Sequence, residues 1–189
     1  MRFPPLALAA ILVLLVPGSA GAQGFGQKFG AIVGGATLSD LSTNISDSES
    51  RWGGTAGLMM GINRGHTAVT LETLWVQKGG GDLRLDYFDV PITFGAAVPA
   101  GGGATRIRFY GGIAAAFKIG CAGDEGLCED ANGTEWTIPA GLQVARMSGD
   151  KFIGLDVRYG FALSDAFDSF EGINRTWYFR LFVGRPAGG

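Results

Sequence analysis

Residues 66–98, HTAVTLETLWVQKGGGDLRLDYFDVPITFGAAV, constrain the fold more than any other stretch of the chain. Thr67, Val69, Leu71, Thr73 and Trp75 alternate with Ala68, Thr70, Glu72, Leu74 and Val76, and after a glycine-rich turn the alternation resumes. Phe88, Val90, Ile92, Phe94, Ala96 and Val98 then stand against Tyr87, Asp89, Pro91 and Thr93. A period of two in β-branched and aromatic residues specifies strands, because successive side chains of a strand point to opposite faces. One face of this hairpin is apolar, and the other carries carboxylates beside small groups.

The same pattern runs along the chain. Strands are expected at 28–38, 53–62, 66–77, 85–98, 105–117, 134–145, 151–163 and 174–184, eight in all. In 105–117, Ile107, Phe109, Ile113 and Phe117 oppose Arg106, Arg108 and Tyr110. In 151–163, Ile153, Leu155, Val157, Tyr159 and Phe161 oppose Gly154, Asp156, Arg158 and Gly160. In 174–184, Trp177, Phe179, Leu181 and Val183 oppose Tyr178, Arg180 and Phe182. The glycines of the first strand leave its faces open. Pro91 and Pro139 fall inside strands, where a lost N–H donor is expected to sit at a bulge.

The N-terminus lies outside this pattern. Arg2, the apolar run Leu6 to Val16, the breakers Pro17 and Gly18, and Ala20-Gly21-Ala22 make residues 1–22 an expected secretory signal peptide, too short in its apolar run to span a bilayer. One domain, 23–189, follows. Its net charge is one below the formal −2 of the whole chain, since Arg2 leaves with the signal. Mild acidity argues against a nucleic-acid partner. Cys121 and Cys128, the two cysteines, lie in a polar loop and are expected to close a small disulfide in an exported protein. The sole histidine, His66, is far from them, so no metal site is expected.

The connections alternate in length. Asn63-Arg64-Gly65, Pro99 to Ala104 and Arg146 to Asp150 are short, whereas 39–52, 118–133 and 164–173 are long and acidic, with 78–84 intermediate. Short turns at one end of the sheet and long loops at the other are the asymmetry of an outer-membrane barrel. The polar face supports the same architecture: Glu72, Asp89, Arg106, Arg108, Glu135, Asp156, Arg158 and Arg180, interleaved with Gly and Thr, make a poor solvent surface and a good interior for an eight-stranded barrel, whose lumen side chains about fill. The expected fold is therefore an all-β, eight-stranded, antiparallel up-and-down transmembrane barrel. Trp75, Phe88, Phe117, Phe161 and Trp177 would supply its interfacial aromatic girdles.

Leu71 to Gly79, LETLWVQKG, followed by Tyr87 to Ile92, YFDVPI, resembles the bacterial outer-membrane β-barrel domain of the PorT type, within the porin-like, OmpA/OmpX-like eight-stranded barrels. Leu155 to Gly160, LDVRYG, is similar to that family's penultimate-strand segment. The resemblance covers nearly the whole mature chain in strand rhythm and rests on short motifs. It implies an integral barrel of the bacterial outer membrane, in a family with some members tied to secretion. The chain departs from the family in running past Phe182 to Arg185-Pro186-Ala187-Gly188-Gly189 instead of closing on an aromatic residue.

The eight inward charges read either as a polar, conducting lumen or as a salt-bridged plug, and equal numbers of each sign in a narrow barrel favour the plug. Gly120 to Glu135, with Asp124, Glu125, Glu129, Asp130 and Asn132 around the cysteine pair, lacks the full spacing of a calcium loop and reads as a stapled external loop. Asp40, Asp47, Glu49, Asp165, Asp168 and Glu171 extend an acidic outer rim, a place for a protein or cation partner. No catalytic residue and no cofactor are expected, because His66 follows a short turn at the end opposite the long loops. The expectation is a monomer embedded in outer-membrane lipid, with a role in membrane integrity, adhesion or docking through the acidic loops, or at most a narrow pore. The alternative is a soluble periplasmic barrel with its apolar face turned inward around an apolar ligand.

Overall fold

The computed structural model describes residues 28–43, 50–101, 104–167 and 172–187. The signal peptide, Asn44 to Glu49 with Asp47, and Asp168 and Glu171 lie outside them. Eight strands form: β1 (Lys28–Thr43), β2 (Arg51–Arg64), β3 (Thr67–Gly80), β4 (Leu83–Ala100), β5 (Thr105–Ala122), β6 (Thr134–Ser148), β7 (Lys151–Ala162) and β8 (Gly172–Ala187). A short helix, α1 (Glu125–Asp130), lies between β5 and β6. Each strand pairs antiparallel with the next, and β1 pairs with β8 from Lys28↔Ala187 to Thr43↔Gly172, so the sheet closes on itself and leaves no edge.

All eight expected strands are present, and most run further toward the long-loop end than the apolar pattern alone marks. At 78–84, expected as an intermediate loop, β3 and β4 continue to Gly80 and Leu83, joined by the tight turn Gly81-Asp82. Gly81 there has φ +54°, the left-handed conformation that glycine adopts without a Cβ clash. Polar residues above the apolar band, such as Gln77 and Asp86, remain in strand because they pair across the hairpin, Gln77 Nε2 donating to Asp86 Oδ1 at 3.1 Å.

Neither proline sits at a bulge. The β3–β4 ladder lapses opposite Pro91, but Leu71↔Ile92 and Leu74↔Asp89 on either side keep one register. The β5–β6 ladder lapses opposite Pro139 in the same way, between Gly111↔Ala140 and Ala114↔Thr137. On their other sides Pro91 pairs with Ala114 and Pro139 with Gly160. Each proline thus interrupts one ladder locally and leaves strand alignment untouched. The register shift that does occur lies between Asp86 and Tyr87, in β4–β5.

The faces follow the sequence pattern. Ile32, Phe109, Leu155 and Leu181 are exposed by 70, 59, 59 and 57%, while Glu72, Asp156, Arg158 and Arg180 are exposed by 2% or less. The first strand, open in the sequence, turns Ala31, Val33, Thr37, Ser39 and Leu41 inward and Ile32 outward. Inward glycines give the lumen its tight curvature and room. A Cβ on Gly57 would lie 2.0 Å from the Thr73 carbonyl oxygen, and one on Gly141 would lie 2.5 Å from the Tyr110 hydroxyl.

Candidate functional site

The outward face settles which way the barrel is turned. From Ile153 to Phe161 on β7 the outward residues are apolar throughout; eight steps of about 3.3 Å, tilted by about 40°, make a band roughly 20 Å tall, near the ~25 Å belt of a membrane barrel. An apolar surface that encircles a whole molecule is not a water-facing one. At the loop end the band finishes in aromatics: Trp75 pairs with Phe88 and Phe88 with Phe117 across neighbouring strands, and the Tyr159 and Trp177 ring centroids lie 4.9 Å apart, the rings tilted by 55°. Trp75, Phe88, Phe117, Phe161 and Trp177 therefore belong to one girdle at the loop end. Trp52 and Trp136 join it as outward tryptophans, Trp136 within an expected strand and Trp52 in what the sequence assigned to the long loop 39–52.

The lumen is filled in layers. At mid-height, Glu72 of β3 receives both arginines of the opposite wall: Arg180 Nη1 stands 2.7 Å from Oε2, and Arg158 Nη2 bonds Oε1. Arg180 also holds Asp156 Oδ1, through Nη2 at 2.8 Å and Nε at 3.0 Å. Tyr110 completes the cluster, accepting from Arg158 Nε at 2.9 Å and donating to Asp156 Oδ2 at 2.7 Å. Two carboxylates and two guanidiniums thus neutralise one another, which buried ions require.

Above this cluster, Lys78 Nζ lies 2.6 Å from Glu135 Oε1, and Asn174 Nδ2 donates to Oε2 of the same carboxylate. Lys78 is the cation that sequence reasoning missed. The third strand was expected to end one residue before it, yet the alternation Glu72, Leu74, Val76 continues directly to an inward Lys78. Asp89 is buried nearby, with no hydrogen-bond partner at Oδ1. Below the cluster Arg108 faces neutral groups, donating to Gln143 Oε1 and Thr93 Oγ1, each at 3.1 Å, and to Thr70 Oγ1 at 3.4 Å. Arg106, nearest the short turns, donates to the Gly65 carbonyl at 3.1 Å. The eight inward charges therefore share one lumen without forming one network.

The loop end is closed by a cap. Cys121 and Cys128 form a disulfide with Cα atoms 5.7 Å apart. Asp124 caps α1 by accepting from Leu127 N at 3.1 Å, and Lys118 donates to the carbonyls of Cys128 and Ala131. The following segment is stitched to the β7–β8 connection: Asn132 N donates to Ala166 O at 2.8 Å, Asn132 Nδ2 donates to Asp165 O at 3.1 Å, and Ala131 bridges Phe167. Beneath the stitch, Leu41, Leu83, Leu85, Tyr87, Ala166 and Phe167 pack as an apolar layer. Asp124, Glu125 and Glu129 stay on the outer surface.

Among the described residues, no group of three or more His, Cys, Asp and Glu side chains is placed to hold a metal ion. His66 lies at a short turn, its Nδ1 3.2 Å from the Ala97 carbonyl oxygen.

No family model and no curated protein matches the sequence. Among solved structures, the chain is similar to Neisserial surface protein A (NspA), with a TM-score of 0.56 and 9% identity over 84% of this chain and 97% of that one. It also aligns with Ail, the attachment invasion locus protein of Yersinia pestis, in a complex with the heparin analogue sucrose octasulfate. There the TM-score is 0.47, with 10% identity over 84% of this chain and 99% of that one. At 9% identity the likeness to NspA is one of fold, the closed eight-stranded antiparallel barrel.

Proposed function

We propose that this protein is an integral barrel of the bacterial outer membrane whose work is done at its external loops, docking a partner with a basic surface, while the lumen serves as a structural plug and not as a pore. The observation that carries this reading is the pairing of an apolar outer band with a lumen closed twice. Glu72, Arg158, Arg180, Asp156 and Tyr110 fill it at mid-height, and the disulfide-held cap lies over its loop end.

The band disposes of the soluble reading, in which the apolar residues would line the interior around a ligand: here the interior holds the charges. The longer connections face outside the cell and both ends of the barrel's chain face the periplasm, following the usual asymmetry of such barrels. Asp82, Asp124, Glu125, Glu129 and Asp165 make the external surface acidic, which steers encounter with a basic partner. Role then follows from surface chemistry. Membrane integrity and adhesion are the forms that docking takes.

The test is electrical and then biochemical. The refolded protein is inserted into a planar lipid bilayer and current is followed at high salt. No stepwise conductance is expected; regular steps that persist after the sample is shown to be pure would make the lumen a pore. Binding of a lysine-rich peptide at low salt, weakened when Asp124, Glu125 and Glu129 are changed together to Asn and Gln, would support loop docking, and unchanged binding would remove it.

A further inference from the structure

The lipid-facing surface ends differently at its two rims. At the loop end it finishes in the aromatic girdle, and at the turn end it finishes in cations. On β2, β6, β7 and β8 the last apolar outward residues are Ile62, Val144, Ile153 and Val183, and the next outward residues on those strands are Arg64, Arg146, Lys151 and Arg185. On β1, Lys28 is reached from the outward Ile32 past Gly30. All five cations are exposed, and a step of two residues along a tilted strand sets the first four about 5 Å beyond the apolar band, at the level of lipid headgroups. The five strands are consecutive around the closed sheet, from β6 through β8 and β1 to β2. On β3, β4 and β5 the outward residues beyond the band are Thr67, Ala100 and Thr105. The collar is therefore one-sided, which a simple anchor at the membrane surface does not require.

Within the collar lies a notch. Gly30 faces outward on β1 with open space where a Cβ would stand, Arg185 of β8 is its direct partner across the ladder, and Lys28 follows two residues away. On the other flank Lys28 pairs with Ile62, two residues from Arg64. Among the described residues of this rim the carboxylate is Asp150, its Oδ2 3.4 Å from Arg185 Nε, so five cations stand against one acid. We infer that the collar seats a phospholipid with a net-negative headgroup, its phosphate between Lys28 and Arg185 beside Gly30 and an acyl chain lying over Ile32. Cations that face sideways at the edge of an apolar band meet lipid phosphate before they meet a soluble partner. A headgroup that also carries an ammonium would bring a like charge against the collar, which narrows the class to anionic lipid. The loops-outward orientation proposed above puts the seat in the periplasmic leaflet, while binding itself needs only the lipid-facing barrel and stands apart from loop docking.

The test uses the full mature chain refolded into phosphatidylcholine vesicles with a trace of spin-labelled phosphatidylglycerol or of spin-labelled phosphatidylcholine bearing the same chains. Electron paramagnetic resonance then gives the fraction of each label immobilised at the protein. Both leaflets have one composition, so the readout does not depend on which way the barrel inserts. Phosphatidylglycerol is expected to be favoured about threefold or more at low salt, with the gap narrowing at high salt. Changing Lys28 and Arg185 together to Gln is expected to halve that ratio or more, whereas changing Arg84 and Arg175 together to Gln, the same charge lost at the loop end, is expected to leave it. Heat-dependent gel mobility shows which variants have closed. If the collar variant does not close, Gly30→Leu, which fills the notch and keeps both cations, decides by lowering the ratio. Equal immobilisation of the two lipids by the native chain, an equal fall in the loop-end variant, or an undiminished ratio in a closed collar or notch variant would overturn the seat. So would capture of soluble polyglutamate in neutral vesicles without any lipid preference, which would give the collar to an acidic macromolecule. A native chain that never enters the vesicles would contradict the lipid-facing barrel itself, and the seat with it.

Discussion

Arg180 and Glu72 meet across the lumen at 2.7 Å, from β8 and β3, two strands 108 residues apart in sequence. Their contact joins opposite walls of the barrel, so it forms only when the sheet has closed. Glu72 is also the acceptor of Arg158, and one carboxylate therefore neutralises two guanidiniums.

Replacing Glu72 with Gln keeps the shape and removes that charge. Arg158 would lose its carboxylate partner and Arg180 would keep Asp156, so the expected destabilisation is about 3 to 5 kcal/mol, the usual range for breaking a buried pair from one side. The temperature at which the closed barrel converts to the slow-migrating unfolded band should fall clearly. A variant that unfolds with the wild type would show that the cluster does not hold the walls together.

Lys78 and Glu135 offer a cleaner contrast. Each single change, Lys78→Met or Glu135→Gln, leaves a buried partner uncompensated, whereas the double variant leaves neither charge. The double variant is expected to be more stable than at least one of the singles. Additive losses in urea unfolding from detergent would mean that the two side chains act independently.

The cap is expected to respond to reduction without the barrel doing so. By the chain-entropy relation a loop this short, with a sequence separation of seven, restricts the unfolded segment by about 2 to 3 kcal/mol. Changing Cys121 and Cys128 to Ser should speed protease cleavage between Gly123 and Gly133 while the heat-dependent gel shift persists. Equal cleavage rates would mean that Lys118 and the Asn132 stitch hold the cap unaided.

Leu155 points outward at the middle of β7, where it is 59% exposed. Arginine there is expected to cost about 2 to 4 kcal/mol at the bilayer midplane, and yield of the assembled barrel should drop. Assembly at the native yield would place this face in water.

Much of the barrel was legible because period two is a strong signal over long strands. In β4, β5, β7 and β8 the alternation names the inward and outward residues one by one. What it missed lies above the apolar band. Lys78 looks like loop when only the greasy run is traced, and a tight turn at Gly81-Asp82 replaces the longer connection that polar composition suggested. The prolines misled for a related reason: a bulge is one way to absorb a missing donor, and a local gap in the ladder is another that the sequence does not distinguish. The inward charges were recognisable from their face, but partners were not. Which carboxylate meets Arg180 depends on the tilt and stagger of strands that are not neighbours.

The most direct test of a lipid-facing barrel is to express the chain from its first residue in a Gram-negative host, separate the membranes, and run the extract on a gel with and without boiling. Recovery in the outer membrane and faster migration of the unboiled sample are expected. Recovery in the soluble periplasm, with no change on boiling, would contradict a lipid-facing barrel.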